Sequence, residues 1–330
     1  MPRRALYMAM LRTALARQRW VVWLLRLGVM GSILVWLTRQ LNLQELQRVA
    51  VNPALLPLMG MMVTGWLFML LGGIKFWVLY QAITPVAFRP FIGYFFVATA
   101  LGVFTPASLG DFSLAALLRH ERVPAQESLA VIVVDRLLTV SIYAVVFLPL
   151  TLGMVLHTAQ WWWVSTSFVA GGILLLALNG VPAVRQLVHR ILLQSPLAYV
   201  MGFLATTSTL MRRHPWYLLG NIGLTLLRCV MAGIVVQLAL WAVGEWQPFL
   251  PVLYTTNTIS LLNLLPISLA GLGVYEGGGV AILSHLGFDR EHVFAALIYQ
   301  RLYVMLYALL MLVLWRMLRR NTISAGKGEA

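Results

Sequence analysis

Leu265-Pro266-Ile267-Ser268-Leu269-Ala270-Gly271-Leu272-Gly273-Val274-Tyr275-Glu276 interrupts a long apolar stretch of the chain. Proline and closely spaced glycines stop a helix, whereas Gly273 three residues before Glu276 matches an N-cap followed by an acid at the third helical position. The stretch therefore ends one apolar run, Phe249 to Leu265, and starts another, Val274 to Leu286. At 17 and 13 residues both are shorter than the roughly 20 that a helical membrane crossing needs. Two short helices joined by a Pro/Gly turn predict a re-entrant hairpin, which enters and leaves on one side of the membrane.

The same device occurs earlier. Phe91 to Phe104 is broken by Thr105-Pro106-Ala107-Ser108-Leu109-Gly110-Asp111, and a second short run follows through Leu118. The two units share a register. Asp111 to Arg136 and Glu276 to Arg301 are both 25 residues, and Asp111 to His120 and Glu276 to His285 are both nine. Aligned without gaps from Asp111 and Glu276, six of 27 positions are identical, and acid, His and Arg fall in step. This is an internal repeat, about 54–150 and about 216–318.

Working outward, full-length apolar spans are expected at Trp20–Thr38, Ala54–Tyr80, Ser128–Leu150, Trp161–Asn179, Trp216–Val243 and Val293–Leu318. Hydrophobic residues make up 61% of the chain and charged residues 10%, so a soluble globular fold is excluded. Residues 1–19 form a basic cytoplasmic N-terminus, 20–318 a single membrane domain and 319–330 a cytoplasmic tail. The first span is too long for a signal-peptide core and is expected to be retained. The sequence thus predicts an all-α polytopic membrane protein of six spans and two hairpins.

The positive charges decide how the hairpins lie. With both termini inside, 16 Arg/Lys fall on cytoplasmic segments and three, Arg39, Arg48 and Arg290, outside. Had both regions crossed fully, the split would be ten to nine, so the positive-inside rule selects the hairpins. One hairpin then enters from the cytoplasm and the other from outside, which makes the repeat an inverted-topology one. Residues 180–215 suit an interfacial amphipathic helix; 197–211 is left unassigned.

Several residues are candidates for chemistry. Asp111 and Glu276 have two readings: caps of short helices, or parts of an anion site made by free N–H groups at a helix start. Ser108, Gly110, Gly271 and Gly273 belong to the same turns. Arg136 and Arg301 recur in the repeat and either pair with Asp111 and Glu276 or bind a substrate phosphate. Arg228 lies mid-span with no acid within a helical turn, so another helix, with Asp135 as one choice, or a ligand must meet its charge. Arg26 and Lys75 are expected to snorkel toward an interface. Neither zinc-ligand spacing nor a nucleotide-phosphate loop is present, and no catalytic residue, metal or cofactor is expected. The +14 formal charge beside apolar runs points to lipid headgroups, not nucleic acid.

At its two hairpins the chain resembles the lysylphosphatidylglycerol synthase transmembrane-domain family, also called flippase-like. The resemblance covers roughly residues 20–320. It rests on Pro106, Gly110-Asp111 and Asp135-Arg136-Leu137 in the first unit. In the second it rests on Leu265-Pro266-Ile267-Ser268, Gly271-Leu272-Gly273-Val274, Glu276 and Arg301-Leu302. The first loop departs from the family pattern, with Ser108 and Leu114 where members often carry Arg. The soluble aminoacyl-transferring domain of the fused synthases has no counterpart here. The resemblance implies a non-enzymatic bacterial inner-membrane protein that moves an anionic phospholipid or polyprenyl-linked precursor between leaflets. Its alternative is a non-transporting accessory protein for a glycosyltransferase or lipid-modifying enzyme.

Overall fold

A computed structural model describes residues 41–104, 109–157, 214–262 and 273–325, together with Gly28, Gly31, Ser32, Val35 and Arg39. These form helices throughout, with no strand among the described residues. In chain order they are α1 (Leu43–Val51), α2 (Leu55–Ile83), α3 (Phe88–Phe104), α4 (Leu109–Leu117), α5 (Ala125–Val155), α6 (Pro215–Ala242), α7 (Phe249–Leu262), α8 (Val274–His285) and α9 (Arg290–Ala325). Helices α2, α5, α6 and α9 are each long and apolar enough to cross a membrane. They correspond to four of the six expected spans. Trp20–Thr38, Trp161–Asn179, the expected interfacial helix at 180–215 and residues 197–211 lie outside the described residues, apart from the scattered positions named above and His214 and Pro215.

A long helix, two short helices and a long helix occur in that order twice, as α2 to α5 and as α6 to α9. The first long helices of the two sets pack antiparallel. The N–H of Ala54 donates to the carbonyl of Ala242 at 2.7 Å, and farther along Asn221 Nδ2 donates to the carbonyl of Lys75 at 3.0 Å. Small residues let the helices approach. A Cβ on Gly110 of α4 would lie 2.7 Å from the carbonyl oxygen of Ala98 and 2.8 Å from Cα of Gly102, both on α3. The arms of the first short pair thus touch backbone to backbone, as small residues allow where no water drives helices together.

Contacts at the helix ends fall into two sets. In one, Ala54 meets Ala242, the N–H of Asn42 donates to Glu291, and the ring of His285 lies 3.2 Å from the carbonyl of Val155. In the other, Thr84 bonds to Glu127, Tyr94 to Glu121, and the Tyr94 ring packs on Trp315. The open end of the α3–α4 pair belongs to the second set, and that of the α7–α8 pair to the first.

Leu302, Met305, Leu306, Leu309, Leu310 and Val313 of α9 are exposed, a contiguous apolar face that suits lipid and not water. Helix α1 lies on a segment the sequence reading treats as a loop. Asn42 caps it by accepting from the N–H groups of Gln44 and Glu45, and Leu46 and Val49 pack on the core. Asp289 caps α9 likewise, accepting from Glu291 and His292. Partial burial pushes its carboxyl up, but the hydrogen bonds from His292 outweigh this and leave it below the usual value. Helix α5 widens into a π turn at Tyr143–Phe147 just before Pro149, whose missing N–H interrupts the regular ladder.

Candidate functional site

The short helix α8 starts at Gly273, whose φ of +82° lies in the left-handed region that favours glycine. Glu276, one turn on, folds back so that its Oε2 accepts from the Gly273 N–H at 2.7 Å. Its other oxygen, Oε1, accepts from Arg301 Nε at 2.9 Å and from a terminal guanidinium nitrogen of the same residue at 2.6 Å. The carboxylate is buried, and among the described residues its charge is met by this cap and this ion pair. The sequence-level pairing of Glu276 with Arg301 is therefore present, and Glu276 is also the cap.

A second charged cluster lies between α2, α5 and α6. Lys75 Nζ stands 3.0 Å from Asp135 Oδ2 and donates to Thr139 Oγ1 at 2.8 Å. Asn221 Nδ2 donates to Asp135 Oδ1 at 3.0 Å. The Lys75 and Asp135 side chains are only 1% and 2% exposed. Lys75 therefore does not snorkel: it sits inward beside α5 and α6, where Asp135 compensates a cation that lipid would expel. The expectation for Lys75 is corrected on this point.

Arg228 lies on α6 about two turns beyond Asn221. Its guanidinium carbon sits 4.2 Å from the ring centroid of Phe68, a cation–π stack. A Cβ on Gly72 would come within 3.3 Å of its Nε, so Gly72 leaves the room it occupies. That Nε is buried with no hydrogen-bond partner among the described residues. Asp135 is engaged by Lys75 and Asn221, and Arg228 forms no ion pair among the described residues. Arg228 and Arg136 both lie within electrostatic reach of Lys75.

Tyr143 in the π turn lies within electrostatic reach of Arg228 and of Tyr275, the neighbour of Glu276. Helix α7 adds Thr255, Thr256, Asn257 and Thr258, all buried. Asn257 Nδ2 donates to the carbonyl of Cys229, next to Arg228, at 3.1 Å. Thr258 and Thr151 share a hydrogen bond of 2.7 Å. Four successive polar residues inside an apolar run are a visible sequence signal, Thr255-Thr256-Asn257-Thr258, which the motif-centred reading passes over.

Of the expected site residues, Gly273, Glu276 and Arg301 form one cluster, and Arg228 and Arg136 belong with Lys75 and Asp135 in the other. Gly110 has a packing role at the α3–α4 contact. Ser108 and Gly271 lie outside the described residues, as does the side chain of Asp111, so the expected Asp111–Arg136 pair does too.

No match is found among curated proteins. Residues 23–312 match the family described as the lysylphosphatidylglycerol synthase TM region. The apolar helices and the charged clusters held between them are those of a membrane protein, and the chain belongs to that family.

Proposed function

We propose that the protein is a flippase-like transporter that carries an anionic phospholipid or polyprenyl-linked lipid between the leaflets of a bacterial inner membrane. Both termini are cytoplasmic, and six spans enclose two re-entrant hairpins in an inverted repeat. The opposite ends to which the α3–α4 and α7–α8 pairs open support the inverted arrangement. So does the length of α3, 17 residues, which reaches only about 25 Å. Exposed cysteines give a direct test. In a Cys229→Ala background, Gln126→Cys and Arg290→Cys should react with a membrane-impermeant reagent from opposite faces, whereas reaction from one face would overturn the inverted arrangement.

The observation that carries the transport reading is Arg228. A guanidinium held at depth on an aromatic ring, with a buried Nε that has no acceptor among the described residues and Lys75 nearby, suits an anion. The acyl chains of a lipid remain in the bilayer during translocation, so only the headgroup requires a polar path. Buried Asn257, bonded to the carbonyl of Cys229, lies beside Arg228, and the Gly273–Glu276–Arg301 cluster adds a second charged group in the α7–α8 unit. Ser108, Gly110, Asp111, Arg136 and Gly271 complete the site in this reading.

Purified protein in liposomes should by itself speed the movement of a fluorescent anionic phospholipid between leaflets. Arg228→Lys keeps the charge but loses the planar fork, and should slow this about tenfold, near the worth of one charge-assisted hydrogen bond; Arg228→Gln should slow it further. Lipid movement by neither the native protein nor the variants, with lipid still bound, would favour the accessory-protein reading.

A further inference from the structure

Asp135 occupies an unusual position in this cluster. It is the carboxylate that neutralises Lys75, and an anion held at Arg228 that also drew on Lys75 would have to share that lysine with it. Once a phosphate takes over Lys75, Asp135 is a carboxylate stripped of its counter-charge in a dry site, and the usual escape from that cost is protonation. A phosphodiester cannot take the proton at neutral pH. Asp135 can.

We propose that Asp135 is a proton-binding site coupled to headgroup binding: one proton from solution adds to the Asp135 carboxylate as a phosphodiester lipid binds beside Arg228 and Lys75. Lys75 keeps its ammonium, the charge of the carboxylate is replaced by that of the lipid phosphate, and the net charge of the cluster stays constant. The inference rests on the headgroup reading of this site.

Three observations support it. Lys75 and Asp135 are almost wholly buried, so little water is present to stabilise an additional charge. The Oδ1 of Asn221 is buried with no hydrogen-bond partner among the described residues, while its Nδ2 bonds to Asp135. A turn of this amide, which gives up its bond to the carbonyl of Lys75, offers the neutral carboxyl an acceptor for its new proton. Thr139 still accepts from the Lys75 ammonium after the carboxylate is neutralised, with the lipid phosphate as the new counter-charge.

The other charged or titratable neighbours are accounted for element by element. Helix α2 contributes Lys75 itself. Helix α5 contributes Arg136 and Tyr143, and α6 contributes Arg228 and Cys229. The arginines stay charged throughout, and a tyrosine or a cysteine loses, not gains, a proton as pH rises above neutral. Asp289, half-exposed where it caps α9 and outside this cluster, serves as the control position.

The test uses full-length protein in phosphatidylcholine nanodiscs and fluorescent phosphatidylglycerol, a phosphodiester whose charge is constant from pH 6 to 8. Uptake of one proton per lipid makes affinity fall tenfold for each unit rise in pH. Asp135→Asn, which imitates the neutral carboxyl, should bind without this dependence, and Asp289→Asn should retain it. A slope that survives in Asp135→Asn, or is lost in Asp289→Asn alone, overturns the assignment to Asp135.

Should Asp135→Asn fail to fold, the native protein still decides the matter. In weakly buffered solution a pH-sensitive dye should report about one proton removed per lipid bound, and none removed would overturn the coupling. Lipid binding that is tight and independent of pH would defeat the proton site while leaving the headgroup site standing. No binding at any pH would defeat both. Dimethyl phosphate, the same diester without acyl chains, should compete only weakly; equal potency would overturn the assignment to a lipid.

Discussion

Asp135→Ala should cost about 3 to 5 kcal/mol of stability, because it leaves the Lys75 ammonium buried without its counter-charge. The remaining neighbours cannot substitute. Thr139 offers a neutral hydroxyl, and Asn221 turns an amide N–H toward the site, which repels a cation. Arg228 and Arg136 add positive charge. Thermal unfolding in detergent should show a large drop for Asp135→Ala and a partial return when Lys75→Met is added. The return follows because a matched pair of apolar side chains carries no desolvation penalty. An unchanged midpoint in the single variant would mean that water reaches Lys75 and that the cluster is not dry.

Removing the Glu276 side chain should be comparably damaging, by about 3 to 5 kcal/mol, for two reasons that can be separated. Glu276→Ala loses both the bond to the Gly273 N–H and the counter-charge of Arg301. Glu276→Gln loses the charge but retains an oxygen that can cap Gly273, since glutamine serves in a capping box as glutamate does. Folded yield should therefore fall in the order native, Gln, Ala. Arg301→Gln placed on Glu276→Gln should restore stability, and a double-mutant cycle reads the coupling directly. If both single variants kept full stability, the pair would be a ligand site with a structural role too small to detect.

The long spans were legible because a membrane helix carries its signal in length and apolarity alone, and α2, α5, α6 and α9 follow the expected boundaries within a few residues. The Glu276–Arg301 pair was legible for a different reason. An acid at the third position of a helix and an arginine repeated at fixed spacing are constraints along the chain. Lys75 was not legible, because its partner Asp135 lies 60 residues away on another helix and no local pattern distinguishes an inward lysine from a snorkelling one. Offering Asp135 to Arg228 as a partner hid the same contact. Helix α1 escaped notice because its apolar residues are few and its stability comes from Asn42 and from docking on α9.

The contact between Gly110 and Gly102 has a consequence for sequence freedom. Even a methyl group at position 110 would overlap the backbone of α3, which cannot rotate aside as a side chain can. Two residues later, Phe112 is exposed on the outer surface of the same helix and meets no such limit. The alphabet at position 110 thus shrinks to a single letter while that at position 112 spans nearly every apolar one. Within one short helix, what drift can rewrite and what it must leave alone lie half a turn apart.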